Sequence, residues 1–263
     1  HCRAMFSFAL PEAALAPLVI LLLALAVDTV IGDPPALWDR VPHPVVVIGN
    51  LIGWADSTFN KERDEAEARR TAGLIFAAAM VVAACLAGWA LAQVCRALSI
   101  GVVLEIALVA VFLAGRSLHD HVSAVARGLI ERGLAGGREE VARIVGRDPE
   151  QLDEAGVVRA AVESLAENFS DGVVAPAFWY ALFGLPGLLA YKALNTADSM
   201  VGHKSERHAD FGWASARLDD FANLIPARLA GFLICAAACI LPDTSGPSAI
   251  TVMMRDAAQH RSP

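Results

Sequence analysis

The stretch AVESLAENFSDGVVAPAFW, residues 161–179, carries three carboxylates, Glu163, Glu167 and Asp171, spaced four residues apart. On a helix each is rotated only about 40° from the last, so all three share one face. Like charges at that spacing weaken a helix by roughly 0.2–0.5 kcal/mol per pair, so the row asks for a positive partner. An oxygen-rich set without thiolates suits Mg²⁺, which usually takes one or two carboxylates and completes its shell with substrate phosphates. Ser164 and Asn168 add neutral oxygens beside the row. A solvated acidic helix face has the same spacing, and the row alone does not separate the two readings.

A second cluster lies in YKALNTADSMVGHKSERHADFGW, residues 191–213. Asn195, Asp198 and Ser199 come first, then His203, Lys204, Arg207 and His208. A carboxylate beside cations suits a metal–phosphate complex, with Asp198 on the metal and Lys204 and Arg207 on phosphate oxygens. On one continuous helix Asp198 and Lys204 would differ by about 240°, so a break at Gly202 is required to fold the cations back. No Gly-x-x-x-x-Gly-Lys-[Ser/Thr] loop is present, and His203 and His208 lack a zinc motif and read as surface histidines. A third cluster, ARLDDFANLIPARL at 216–229, places Asp219 and Asn223 at i,i+4, with Asp220 adjacent and Arg217 and Arg228 flanking. One such motif is weak. Three, each abutting a hydrophobic run, are hard to read as solvent-facing decoration.

The elements that must position these groups are membrane helices. The chain has 263 residues, 56% of them hydrophobic and 19% charged, with mean hydropathy +0.50, too apolar for an ordinary soluble domain. Thr71–Cys95 has no charged side chain and no polar face, which argues against a soluble bundle. The expected fold is an all-α, polytopic membrane bundle in a single membrane domain. Its spans are expected at about 13–32, 71–95, 97–115, 172–192 and 224–242, with a cytoplasmic helical segment over 116–171. Gly184-Leu-Pro-Gly187 breaks the uncharged run 172–191 and suggests a bent or re-entrant hairpin. Prolines at 34, 35, 42 and 44 forbid a continuous helix, and the apolar stretch after Pro44 is expected in the interface. KERDEAEARR, 61–70, reads as a solvated charged helix leading into the next span. Asp148-Pro149 with Gln151 is an N-cap signature for the helix that carries the acidic row, which starts there or near Asp153.

Arginines 116, 127, 132, 138, 143, 147 and 159 make their segment cytoplasmic by the positive-inside rule. The turn at Arg96 and the N-terminus are then outside, and the loop of Lys61, Arg63, Arg69 and Arg70 inside. A net charge of −7 argues against nucleic acid as a partner. Cys85, Cys95, Cys235 and Cys239 read as small buried residues, and the N-terminal apolar run as an uncleaved span, with Met5 the natural start. Asp28, Asp33 and His43 surround the first membrane exit. Glu105 lies mid-span, where an unpaired charge costs at least about 3 kcal/mol, so it pairs across the bundle or is protonated and stays outside the site.

The blocks DTVIGDPP…HPVVVIG, GRDPEQL, AVESLAENFSDGVVAPAFW, KALNTADSMVGHK and FGWASARLDDFANLIPARL, in this order, strongly resemble the adenosylcobinamide-phosphate synthases of cobalamin biosynthesis, often written CobD/CbiB. The resemblance runs from about residue 15 to the end. It implies an ATP- and Mg²⁺-dependent, multi-pass enzyme of the cell inner membrane with its site facing the cytoplasm. Its reaction would join a carboxyl of adenosylcobyric acid to (R)-1-amino-2-propanol phosphate as an amide, through an acyl phosphate or an adenylate. The implied partners are those substrates, membrane lipid and other late cobalamin-pathway membrane enzymes. Under this reading Glu163, Glu167, Asp171 and Lys204 are catalytic and Glu167, Asp171, Asp198 and Asp219 hold metal. Asn168, Asn195, Lys204, Arg207, Arg217 and Asn223 bind nucleotide or phosphate.

Two departures stand out. The family commonly has Tyr at His203, and it continues past HRSP into an N-A-G-x-P-E-A stretch, so a C-terminal segment is expected to be missing here. The alternatives are an intramembrane Mg²⁺-dependent prenyl or alcohol phosphotransferase and a non-enzymatic membrane sensor related to the β-lactamase induction protein. SDGVVAP resembles the phosphotransferase signature superficially, but Pro176 stands where that signature has Arg.

Overall fold

A computed structural model describes residues 12–256, apart from 62, 146–147, 204 and 243. Among the described residues the secondary structure is entirely helical. The first helix, α1 (Glu12–Ile31), is followed by a short turn of helix, α2 (Pro35–Trp38), and by α3 (Pro44–Phe59). Pro44 opens α3 where a missing N–H costs nothing, and His43 Nδ1 accepts from the Val45 amide at 3.2 Å. The charged stretch 61–70 is not the solvated helix expected from its sequence. Helix α4 (Ala66–Ala97) begins only at Ala66, and Arg69 is buried because it turns inward onto Asn60 and the backbone of a distant loop.

Helix α4 is about 48 Å long, more than the roughly 30 Å of a bilayer's hydrocarbon core. Leu74, Ile75, Val82, Leu86 and Trp89 line its exposed surface, as lipid contact demands. Helix α5 (Gly101–Val111) returns beside it and packs on α1. Tyr180 Oη donates to Glu105 at 2.9 Å, which satisfies the mid-span carboxylate across the bundle. Helix α6 (Gly115–Val141) reverses at Gly133, where φ is +63°. Helix α7 (Glu154–Phe169) is capped by Asp153, whose Oδ1 accepts from the Gly156 amide at 2.7 Å. Asp148 caps only the three-residue 3-10 turn at Pro149–Gln151, so the acidic row's helix starts at the second of the two expected places.

Ser170–Val174 form a single π turn, closed by the Ala175 amide on the Ser170 carbonyl. Helix α8 (Ala175–Val201) then folds back on itself at Gly184, where φ is +63° and ψ −151°. That region is essentially open only to glycine. The reversal brings Gly187 against the Trp179 carbonyl, with no room for a Cβ, and seats Leu185 and Pro186 against Gly88 of α4. Helices α9 (Trp213–Ile240) and α10 (Gly246–Asp256) are the last of the described elements.

Among the described residues four stretches are long and apolar enough to cross a membrane: Ala66–Ala97, Gly101–Val141, Glu154–Val201 and Trp213–Ile240. This is a polytopic membrane bundle, although the Gly133 and Gly184 reversals make two of the four hairpins rather than straight rods. Tyr180, Leu185 and Leu188 of α8 share one apolar core with α1 and α5, while Ile52, Met80, Ala197 and Phe211 form a second between α3, α4 and α8. Among the described cysteines all are free thiols; Cys95 and Cys235 are buried, Cys85 half-buried and Cys239 exposed.

Candidate functional site

Because α8 doubles back, residues on its return arm reach the end of the helix before it. Asn195 Nδ2 donates to Asp171 Oδ2 at 3.4 Å. Tyr191 Oη sits 3.3 Å from the Asp171 carbonyl oxygen and donates to Asn223 Oδ1 at 2.9 Å. Asn223 Nδ2 in turn donates to Asp219 Oδ2 at 2.9 Å. Tyr191, Asn195 and Asp198 stand at i, i+4 and i+7 and so share one face of the return arm, while Asp219 and Asn223 are one turn apart on α9. Trp179 Nε1 ties the first arm of the hairpin to the Ala222 carbonyl at 3.2 Å.

Three carboxylates therefore gather where these elements meet. Asp198 and Asp171 lie within electrostatic reach of Asp219, and Glu167 within reach of Asp171 and Asp198. Asp219 is 6% exposed, and its Oδ1 has no hydrogen-bond partner. A buried carboxylate oxygen left bare costs several kcal/mol on the order of its full desolvation, so the atom calls for a positive ligand. Among the described residues no three His, Cys, Asp or Glu side chains converge tightly enough to hold a metal ion by themselves. Carboxylates and amide oxygens, few in number, fit a hard cation that keeps water or phosphate in its shell.

The acidic row does not remain one face. Glu163 and Glu167 are exposed and line a groove of about 340 Å³ with Arg159, Ile144 and Leu152. Asn168 faces a neighbouring groove with Ser117, His121 and Arg143, and its Nδ2 donates to the Ser164 carbonyl and hydroxyl. Asp171, the second residue of the π turn, meets Asn195 while staying within electrostatic reach of Glu167.

The cationic cluster is held differently from its sequence reading. Helix α8 ends at Val201 with Gly202 as its cap. Gly212 then packs so closely on Val201, and Gly73 of α4 on Phe211, that neither leaves space for a side chain. Arg69 donates to the carbonyls of Glu206 and Arg207 and to Asn60 Oδ1, and Asn60 Nδ2 donates to the Arg207 carbonyl at 3.0 Å. The Arg207 guanidinium meets Asp56 Oδ2 at 2.8 Å, and His208 lies 3.5 Å from Asp56 Oδ1. Burial pushes the Asp56 carboxyl up, but hydrogen bonds from Asn60 and Arg207 outweigh it and hold the group below the usual carboxylate range. His203 lies within electrostatic reach of Asp198. Arg217 is exposed and pairs with Asp220 at 3.8 Å, and Arg228 donates to the Leu224 carbonyl. Lys204 lies outside the described residues.

Sequence reasoning missed Tyr191, Lys192 and the Asp56–Asn60–Arg69 group. Tyr191 shares the i,i+4,i+7 face of Asn195 and Asp198, a legible signal. Lys192 ends an uncharged run of 20 residues and lies within electrostatic reach of Asp171 and Asp33. Arg69 was hidden in a charge-rich stretch whose composition matches any solvated helix.

A family model described as "CobD/Cbib protein" matches residues 21–263. Similar proteins named "Cobalamin biosynthesis protein CobD" include one from Sinorhizobium sp, 57% identical over 94% of this chain and 77% of the relative. Another from Rhizobium meliloti is 54% identical over 94% of this chain and 76% of its own length, and one from Rhodobacter capsulatus 47% identical over 93% and 75%. The chain thus spans about three quarters of these relatives. No solved structure matches it.

Proposed function

The chain belongs to the CobD/Cbib protein family, and from that premise we propose that it is an adenosylcobinamide-phosphate synthase of the inner membrane, with its site toward the cytoplasm. A role in cobalamin biosynthesis follows from the family and from the names of its relatives. In the proposed reaction a propionate carboxylate of adenosylcobyric acid attacks a phosphorus of ATP, breaking a phosphoanhydride bond and releasing ADP or pyrophosphate, and becomes a mixed anhydride with phosphate. The amine of (R)-1-amino-2-propanol phosphate attacks the acyl carbon, the phosphorylated oxygen leaves, and the amide of adenosylcobinamide phosphate remains.

The observation that supports this reading best is the bare, buried Oδ1 of Asp219 among Asp171 and Asp198. Asp219 is the proposed Mg²⁺ ligand, with the charges of Asp171 and Asp198 nearby and water or substrate phosphate completing the shell. The bound cation would spread the negative charge that builds on phosphate during transfer. Tyr191 holds Asn223 and Asn223 holds Asp219, a relay that fixes the carboxylate's orientation. Asn195 does the same for Asp171. Glu167, at the solvent edge, is assigned to take the proton lost by the attacking amine. Lys204 and Arg207 are assigned to phosphate oxygens; Asp56 orients the Arg207 guanidinium, and Arg69 and Asn60 hold the backbone that carries it.

Purified protein is incubated with adenosylcobyric acid, aminopropanol phosphate and Mg-ATP, and the corrinoid product is followed by mass. The expected result is a product that requires all three substrates and Mg²⁺. A folded protein that makes no product, or makes it without ATP, overturns the reading. Placement is read by maleimide labelling of Ser205→Cys and Arg96→Cys in a cysteine-free background. Labelling of the first from the cytoplasmic side and the second from the opposite side is expected, and labelling of both from one side rejects it.

A further inference from the structure

We propose that Asp28 is a positioning residue for Asp171, acting through the first amides of α6 and the carbonyl of Gly172. The inference rests on the reading of Asp171 as part of the site. Asp28 stands in the last turn of α1 and is 5% exposed. Its Oδ2 accepts from the Gly115 amide at 2.9 Å. Gly115 opens α6, so the carboxylate satisfies an N–H that no helical carbonyl can reach and lies at the positive end of the helix dipole. The adjacent amide, Ala114, points the other way and donates to the Gly172 carbonyl at 3.0 Å.

That carbonyl needs an outside donor. In an α-helix Gly172 would bond the amide four residues on, and that residue is Pro176, which has none. The Ala114 amide supplies the bond that Pro176 withholds. Two glycines permit the approach. A Cβ on Gly115 would lie 2.7 Å from Asp28 Oδ2, and one on Gly172 would lie 3.3 Å from Ala114 Cβ. Arg116 adds a third strand to the clasp, with Nη1 donating to the Thr29 carbonyl at 3.3 Å. The end of α1, the start of α6 and the π turn are thereby joined at the turn that carries Asp171.

The consequence concerns direction. Without the clasp the Gly172 carbonyl has no donor, because Pro176 cannot supply one, and residues 170–174 lose the tie that fixes them against α1 and α6. The loosened turn no longer holds Asp171 against Asn195.

The test uses Asp28→Ala, Asp28→Asn, which keeps an acceptor oxygen, and Gly115→Ala, which pushes the carboxylate off the amide while keeping Asp28 itself. The first readout needs no substrate: amide hydrogen exchange in peptides covering 165–178 of the purified protein in lipid nanodiscs. Exchange at 170–175 is expected to rise in Asp28→Ala and Gly115→Ala and to return toward wild type in Asp28→Asn. The second readout is kinetic. In Asp28→Ala the Mg²⁺ half-saturation is expected to rise and kcat to fall, each about tenfold, with KM for adenosylcobyric acid changed less than twofold. Wild-type exchange at 170–175 in both Asp28→Ala and Gly115→Ala overturns the proposal. So does a loss that raises exchange across all helices and is not rescued by Asp28→Asn. If Asp28→Ala does not insert, Gly115→Ala decides. An inactive wild-type protein rejects the functional reading and leaves the exchange result to decide the clasp.

Discussion

The side-chain amide of Asn195 donates to the carboxylate of Asp171 at 3.4 Å, although 24 residues of chain separate them. On a straight helix those residues would stand about 36 Å apart. One glycine removes that distance: at Gly184 the chain takes φ +63° and ψ −151° and the two arms of α8 run side by side. Site and reversal are therefore one feature, since the return arm delivers Tyr191, Asn195 and Asp198 to the level of the π turn.

Gly184→Ala is expected to test that dependence. A side chain in this region of backbone space costs about 1–3 kcal/mol, and the arms relieve the strain only by splaying. The variant should insert, melt at lower temperature and lose at least about tenfold in Mg²⁺-dependent turnover. Gly133→Ala carries the same kind of strain in α6 and is the control. It should lower the melting temperature with much less effect on turnover. Equal losses of turnover in the two variants would detach the site from the hairpin.

Asp219→Asn addresses the bare oxygen directly. Burial and the nearby charges of Asp198 and Asp171 make an uncompensated Asp219 costly to the fold. Neutralising it should raise the melting temperature measured in EDTA. The same change should remove the stabilisation that Mg²⁺ gives the wild type, since a ligand stabilises only the state it binds. Activity should fall at least about 100-fold. A variant that melts lower in EDTA and still gains stability with Mg²⁺ would refute the cation site.

Much of this was legible in the sequence, and the reasons are physical. Uncharged runs announce membrane helices because hydrocarbon tolerates nothing else, and Gly184-Leu-Pro-Gly187 announced a bend because glycine and proline restrict the backbone in ways that survive any context. The clusters at 191–208 and 216–229 were visible as i,i+4 patterns. The partition of the acidic row was not. Its spacing assumes an unbroken α-helix, whereas the chain makes a π turn at 170–174 whose Gly172 carbonyl is met by the amide of residue 114, a contact no local window contains. Arg69 was hidden for a similar reason: its partners, the Glu206 and Arg207 carbonyls, lie far along the chain.

Asp56 sets an acid limit on the loop it holds. Its carboxyl is held below the ordinary value near 4 in the fold, so it binds protons less readily there than in the unfolded chain. The stability it contributes is present above that ordinary value and is lost as pH falls through the lower, folded value. Below about pH 4 the wild type should therefore lose protection of residues 203–210 from protease, whereas Asp56→Asn should start less protected and show a flatter dependence on pH. A parallel decline in both proteins over that range would show that Asp56 does not contribute.

The acidic row supplies the last prediction, because spacing and structure disagree about it. Three carboxylates on one face should respond alike to neutralisation. The structure separates them instead: Glu163 and Glu167 are exposed in the Arg159 groove, Glu167 also within electrostatic reach of Asp171, and Asp171 faces Asn195. Glu163→Gln should therefore keep turnover within about twofold of wild type, Glu167→Gln should lose about tenfold, and Asp171→Asn about 100-fold, in the range seen when metal-site oxygens or their supports are removed. The Mg²⁺ half-saturation should rise in Asp171→Asn and stay near wild type in Glu163→Gln and Glu167→Gln. Turnover at saturating Mg²⁺ separates the cases, since Glu167 acting on the amine alone would lower kcat without moving the Mg²⁺ requirement. Equal losses at all three positions would mean that the row works as a single face and that the inward turn of Asp171 is not what places it.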